Sequence, residues 1–174
     1  MGFFKKLFGL KPSNPTELFP KRLVPPSLIW DTTARTFTGI PLPSPLSALA
    51  VFGPSDGFRV LNPEYHVLSY HDLGLEVEVA RGNVLHFTLV ISESPDNPTG
   101  PFVSARPLVA PAGKVIEPET TIDELTALLG PGEKNFEDEE EAIHLFLSGH
   151  IAIEAAYHPV SGKLMRLEIY NNYE

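Results

Sequence analysis

Apolar side chains recur at every second position in two short segments of the chain, and this period of two predicts β-strands. The segments are residues 75–79 and 151–155. A glycine-containing turn follows each of them, and a second apolar-rich run comes next, at residues 84–89 and 164–169. Because alternation places the apolar side chains on one side of a strand, we expect antiparallel strands with one buried face.

Two further segments carry the three- and four-residue spacing of apolar side chains that indicates a helix. Residues 44–54 begin with Ser44, a favourable N-cap, followed by a proline at the first helical position. Residues 121–131 begin with Thr121 and carry Glu124 three positions later, which is the pattern of a capping box. Each segment ends at a Gly-Pro pair, where glycine adopts the left-handed cap and proline stops the helix.

These elements occur in the same order in both halves, so the sequence predicts an α+β protein built from two tandem repeats. In each repeat, one helix packs on a three- or four-stranded antiparallel sheet. Whether the repeats share one sheet or form two stays open at this point. The predicted division is a Pro-rich, basic N-terminal arm (residues 1–27), a first repeat (28–93), a Pro-rich linker (94–111) and a second repeat (112–174).

A short helix that ends in Gly-Pro, followed by antiparallel strands with a glycine turn, resembles the SmpA/BamE-like unit. Two such units in tandem resemble the beta-lactamase inhibitory protein architecture. The resemblance is carried by residues 49–54 with 75–89, and by residues 125–131 with 151–169. It implies a non-catalytic sheet that presents a surface to another protein. The sequence has no cysteine, so the resemblance does not imply a lipoprotein anchor or a role in outer-membrane assembly.

The 174-residue chain is acidic, with 22 Asp and Glu against 13 Lys and Arg and a formal net charge of −9. Ten of the acids lie at residues 117–141, where Lys134 is the single base, so this segment alone equals the net charge of the chain. Phosphates are repelled by such a field. A nucleic-acid partner is therefore not expected, whereas a basic protein partner is favoured.

The densest run of charge is the acidic segment, defined as the five consecutive carboxylates Glu137, Asp138, Glu139, Glu140 and Glu141. These are the predicted partner-binding residues. The alternative is that they form a solvated loop before a strand. They lack the alternating ligands and the glycine turn of a calcium loop, so we predict no metal site there.

The chain carries no motif for a phosphate loop, a nucleophile elbow or a zinc-binding helix, and no cysteine that could be a thiol nucleophile. Its six histidines are scattered along the sequence. His144 alternates with Ile143 and Leu145, so we expect its side chain to point to solvent. We therefore predict no catalytic residue, no cofactor and no metal.

The first ten residues are aromatic and basic, and include Phe3, Phe4, Lys5 and Lys6. On a helix, these side chains would make weak contact with an anionic membrane surface. The alternative is a frayed or locally docked terminus.

These observations favour a cytoplasmic bacterial protein that binds another protein without catalysis, as an immunity or inhibitor protein binds a basic partner. One alternative is a small-ligand-binding protein or hydrolase with a site in the cleft between the repeats, using His66, His71, Asp72 or His144. That function requires at least two of these residues within hydrogen-bond reach in one pocket. A further alternative is a peripheral membrane adaptor that acts through residues 1–10.

Overall fold

Strands make up most of the secondary structure in a computed structural model that describes residues 13–92 and 105–172. In chain order the strands are β1 (Ile29–Asp31), β2 (Thr36–Phe37), β3 (Ser44–Pro45), β4 (Gly57–Asn62), β5 (Tyr65–Tyr70), β6 (Leu75–Ala80), β7 (Asn83–Val90), β8 (Leu108–Ala110), β9 (Lys114–Val115), β10 (Gly132–Glu137), β11 (Ala142–Ser148), β12 (Ile151–Tyr157) and β13 (Leu164–Asn171). Helical structure in the described residues consists of 3-10 segments at Leu46–Phe52 and His71–Leu73 and the α-helix α1 (Ile122–Leu129).

One antiparallel sheet of nine strands dominates the described part of the chain. Its order is β10-β11-β12-β13-β7-β6-β5-β4, and β3 also pairs with β7. Strands β7 and β13 join the two halves of the chain, with Phe87 opposite Ile169. Both strands alternate apolar and polar residues in matching register, and each has main-chain groups that need a partner. Pairing the two strands satisfies those groups and makes the buried face continuous.

The prediction of an α+β fold with two tandem repeats is therefore wrong. The chain is mostly β, and strands from both halves share one sheet. The resemblance to the SmpA/BamE-like unit and to beta-lactamase inhibitory protein is wrong for the same reason, because the described residues form no separate helix-and-sheet units. The two halves have a similar order of predicted elements, but they do not fold as two repeated helix-and-sheet units.

The two predicted helices have different outcomes. The first is a 3-10 segment, because Ser44 pairs with β7 as a strand residue and its hydroxyl donates to the Pro41 carbonyl at 2.6 Å. The hydroxyl is thus not available as an N-cap. The second is the α-helix α1, and its capping box is confirmed. The Glu124 amide donates to Thr121 Oγ1 at 3.2 Å, and the Thr121 amide donates to Glu124 Oε2 at 2.9 Å.

The hydrophobic core lies on one face of the nine-stranded sheet. A small sheet of order β2-β1-β8-β9 contributes Trp30, Phe37 and Val109 to this core, and the first 3-10 segment and α1 pack against it as well. Aromatic rings fill the centre, where the ring centroids of Phe37 and Phe87 are 4.8 Å apart. Strand β8 falls within the segment predicted as a linker and pairs in parallel with β1.

The two faces of the large sheet differ sharply in chemistry. Cross-strand partners lie on the same face. One row across the core face is wholly apolar and buried: Leu68, Val77, Phe87, Ile169, Ile153 and Phe146. The adjacent row lies on the opposite face, named here the polar face: Ser69, Glu76, Thr88, Glu168, Glu154 and Leu145.

Candidate functional site

A network of charged side chains crosses the polar face at its centre. His86 on β7 lies between two glutamates on the neighbouring strands. Its Nδ1 is 3.5 Å from Glu78 Oε2 on β6, and its Nε2 is 3.1 Å from Glu168 Oε2 on β13. The Tyr65 hydroxyl donates to Glu78. The network therefore links strands from both halves of the chain across the β7–β13 junction.

Arg166 extends this network to the hairpin that connects β10 and β11. Its Nε donates to Glu168 Oε1 at 2.6 Å, and its Nη1 donates to the carboxylate of Glu141. The side chains of Arg166, Glu141 and Glu168 are 30%, 23% and 21% exposed. Partial burial strengthens such contacts relative to fully exposed pairs. The pair between Arg166 and Glu141 thus attaches the last residue of the acidic segment to the sheet.

The ionisation of this network follows from its contacts. Burial lowers the pKa of His86, but the close carboxylates of Glu168 and Glu78 outweigh burial and raise that pKa to about 9. The contact with His86, assisted by Arg166, lowers the pKa of Glu168 to about 2 against the effect of burial. At neutral pH the histidine is therefore a cation and the glutamate an anion. A general acid or base works best when its pKa is near the working pH, which is not the case for this pair.

Tyr170 extends the polar face towards β12. Its hydroxyl donates to Glu154 Oε1 at 2.8 Å, and its ring centroid lies 5.4 Å from that of His86. Burial and the nearby Glu154 raise the pKa of Tyr170 to about 12. The phenol therefore stays protonated, and Glu154 is held in place rather than free to reorient.

The acidic segment forms the turn of the β10–β11 hairpin, and its five carboxylates are not equivalent. Glu137 forms an ion pair with Lys134. The Asp138 carboxylate accepts the amides of Glu140 and Glu141 at 2.8 and 2.9 Å, and these bonds lower its pKa. Glu141 is paired with Arg166.

Glu139 and Glu140 lie at the tip of this hairpin. Both are exposed, and neither forms an ion pair with a described residue. Of the five predicted partner-binding residues, these two present carboxylates that are not already paired or hydrogen-bonded within the described part of the chain.

The side chains of β11 lie on the opposite faces of the sheet from those that the sequence predicts. His144 shares the core side of the sheet with Phe146, and burial lowers its pKa. The expectation that His144 points to solvent is wrong. The residues at 143–147 are apolar except for this histidine, so alternation could not decide which side of the strand is buried. Ile143 and Leu145 lie on the polar face instead, a feature that the sequence analysis missed.

The four residues considered for a ligand or hydrolase site do not meet in one place: His71 and Asp72 are neighbours in the 3-10 segment that follows β5, whereas His144 lies on β11. The His66 ring packs on Phe58 at a centroid distance of 5.4 Å, and Asp72 is ion-paired with Arg22. His66 on β5 and His144 on β11 are five strands apart in the sheet, which is about 24 Å at the usual strand spacing. The pocket that such a site needs is therefore not formed by this pair.

The described residues lack two features that would have suggested other functions. They contain no group of three or more His, Cys, Asp and Glu side chains placed to hold a metal ion. They also contain no helix whose length and apolar character would let it cross a membrane. Phe3, Phe4, Lys5 and Lys6, considered for membrane contact, lie outside the described residues.

Comparison with known proteins gives little further guidance. No protein-family model matches the sequence, and no curated protein is significantly similar to it. Among solved structures, the chain is weakly similar to a cysteine-rich secretory protein from Staphylococcus aureus subsp. aureus Mu50, with 12% sequence identity and a TM-score of 0.41. The match covers 74% of this chain and 42% of that protein, so the chain spans less than half of its length. A likeness this weak supports no conclusion about fold or function.

Proposed function

We propose that this chain is a non-catalytic protein that binds a basic protein partner, in the manner of an immunity or inhibitor protein. The observation that carries the proposal is the hairpin tip, where Glu139 and Glu140 are exposed without a paired cation in the described residues. Glu141 attaches this tip to the sheet through Arg166. A hairpin tip anchored through Glu141 is a better docking element than a free loop, because less conformational entropy is lost on binding.

The ionisation of the polar face supports a binding role over a catalytic one. His86 is held as a cation and Glu168 as an anion across the neutral range. These opposite charges pair with each other within the sheet, so the negative charge left for a basic partner is that of the unpaired carboxylates at the hairpin tip. Electrostatic complementarity of this kind mainly raises the association rate and depends strongly on salt.

Affinity capture from a lysate of the native host tests this function. The tagged chain is compared with the tip variant Glu139→Ser/Glu140→Ser at low and high salt. The control variant, Glu17→Ser/Glu119→Ser, removes the same charge at two exposed positions away from the hairpin. We expect a basic protein that is retained at low salt, released at high salt, and lost with the tip variant but not with the control. Equal retention by the two variants contradicts the proposal.

The proposal assigns this function to the bacterial cytoplasm. Cell fractionation of the native host with an antibody against the chain tests that part separately. Recovery of the chain in the membrane fraction would favour the membrane adaptor instead.

A further inference from the structure

A row of aliphatic side chains projects from the polar face along β11. Ile143, Leu145 and Leu147 occupy alternate positions of this strand, and Phe136 on β10 lies opposite Ile143. We name these four residues the apolar ridge. Leu147 is 51% exposed and Phe136 is 46% exposed. At the usual rise per residue the three β11 side chains extend over about 13 Å.

Carboxylates flank the ridge on both neighbouring strands. Leu145, at its centre, lies opposite Glu133 on β10 and opposite Glu154 on β12. Glu168 continues the same row on β13, where Arg166 and His86 already offset its charge, so the acidic border consists of Glu133 and Glu154. Glu133 is exposed and forms no ion pair with a described residue. The surface is therefore an apolar centre with an acidic border, the arrangement of an interface core with a charged rim.

We propose that the apolar ridge binds an amphipathic helix of the partner, with aliphatic side chains on the contacting face and Lys or Arg along its sides. This inference rests on the proposed function, because it assigns the helix to the same basic partner. Charge complementarity with the acidic border favours a basic helix over an acidic or neutral one.

A helix fits this surface better than an extended segment. An extended segment satisfies its main-chain groups by pairing at a sheet edge, whereas a segment that lies on a sheet face must satisfy them internally. Apolar side chains at positions i, i+4 and i+7 of a helix extend over about 10.5 Å, close to the length of the ridge. The opposite side of β11 already contacts a helix, α1.

A defined peptide tests the inference with the full-length chain. The probe is an 18-residue peptide of Leu and Lys with Leu at i, i+3, i+4 and i+7, and its control has the same composition in an order that forms no apolar face. Binding is measured by fluorescence anisotropy. We expect the amphipathic peptide to bind at least about tenfold more tightly than its control, as for an interface with an apolar centre.

Matched variants locate the binding surface. Leu145→Ser/Leu147→Ser removes the centre and one end of the ridge, and Leu147→Ser alone is a milder variant if the double substitution unfolds the chain. Leu23→Ser/Val160→Ser is the control, since these side chains are 100% and 88% exposed elsewhere. We expect about tenfold weaker binding for the ridge variants and less than twofold change for the control. Equal effects of the two variant sets, or equal binding of the two peptides, overturn the inference.

The outcomes also separate this inference from the proposed function. If the tip variant Glu139→Ser/Glu140→Ser loses the basic protein while the ridge variants retain it, the helix inference is overturned and the proposed function stands. If the native chain forms a dimer that Leu147→Ser dissociates, as measured by light scattering, a second copy occupies the ridge and the inference is likewise overturned.

Discussion

The imidazole Nε2 of His86 lies 3.1 Å from Glu168 Oε2, across the junction of β7 and β13 where the two halves of the chain meet. The raised pKa of His86, about 9 against an ordinary 6.5, makes this contact a source of stability. A raised folded-state pKa contributes its full stabilisation below the unfolded value and loses it as pH rises through the folded value.

We therefore expect the free energy of unfolding to fall between pH 7 and pH 10 as His86 loses its proton. His86→Gln removes this titration, so the difference in unfolding free energy between wild type and variant should shrink over the same range. Urea denaturation at a series of pH values measures it. His150→Gln, at an exposed histidine, is the control and should show no such trend. A pH-independent difference for His86→Gln would contradict the role assigned to the pair.

The stability that Glu168 contributes depends on pH in the opposite direction to that of His86. Its pKa is lowered from 4.5 to about 2, so the stabilisation is present above pH 4.5 and is lost as pH falls through about 2. For Glu168→Gln, we expect the loss of stability relative to wild type to be largest above pH 4.5 and to diminish in acid. An unchanged loss at pH 2.5 would show that Glu168 stabilises the fold by packing rather than by charge.

Arg166→Met should weaken both the sheet and its attached hairpin. It leaves the partly buried carboxylate of Glu141 without its cation and leaves Glu168 with His86 alone, which costs about 1–3 kcal/mol of unfolding free energy. Amide hydrogen exchange in the acidic segment should accelerate at the same time. The control is Arg81→Met, whose ion pair with Glu64 is exposed and is worth about 0–1 kcal/mol. Equal losses of stability for the two substitutions would contradict the prediction that Arg166 stabilises the fold more than an exposed ion pair does.

Phe87→Ala should be among the most destabilising single substitutions on the core face. Its side chain is fully buried between Phe37 and Phe52, so truncation loses apolar burial and leaves a cavity, at a cost of about 3–5 kcal/mol. Phe136→Ala on the polar face makes the same chemical change at a half-exposed site, and we expect less than about 1 kcal/mol. Thermal denaturation of both variants checks the contrast. Comparable losses would mean that the polar face is more extensively packed than the geometry indicates.

The capping box of α1 offers a local prediction. Thr121→Ala removes the hydroxyl that accepts the Glu124 amide and should cost about 1 kcal/mol. Thr126→Ala, at an exposed position within the same helix, should be neutral or stabilise by a few tenths of a kcal/mol because alanine is the better helix former. The denaturation midpoints of the two variants show whether the loss comes from the missing N-cap or from replacing any threonine of this helix by alanine.

Local pattern predicted local structure well and long-range pairing poorly. The strands at residues 75–79 and 151–155 and the capping box at Thr121 follow from spacing alone, and all are confirmed. The pairing of β7 with β13 is set by main-chain groups that every strand carries, so no residue type marks it in advance. The same holds for the polar network, because His86 and Arg166 meet their partners only after that pairing has formed.

The acidic segment was identified from composition, yet the roles of its members depend on neighbours that sequence cannot supply. Glu141 is distinguished from Glu140 by Arg166, which lies on another strand. The apolar ridge was missed for a different reason. Both faces of β11 carry apolar side chains, so a hydrophobic pattern fits either orientation of the strand.

The junction between β7 and β13 has a consequence for biosynthesis. Strand β7 is translated well before its partner β13, so during synthesis its main-chain donors and acceptors on that side await a strand that has not yet left the ribosome. Such distant pairing slows folding and leaves an unpaired strand edge exposed in the nascent chain. Folding of the first half of this protein therefore depends on synthesis of β13. Premature termination before β13 would leave a fragment with an unpaired strand edge that is prone to aggregate.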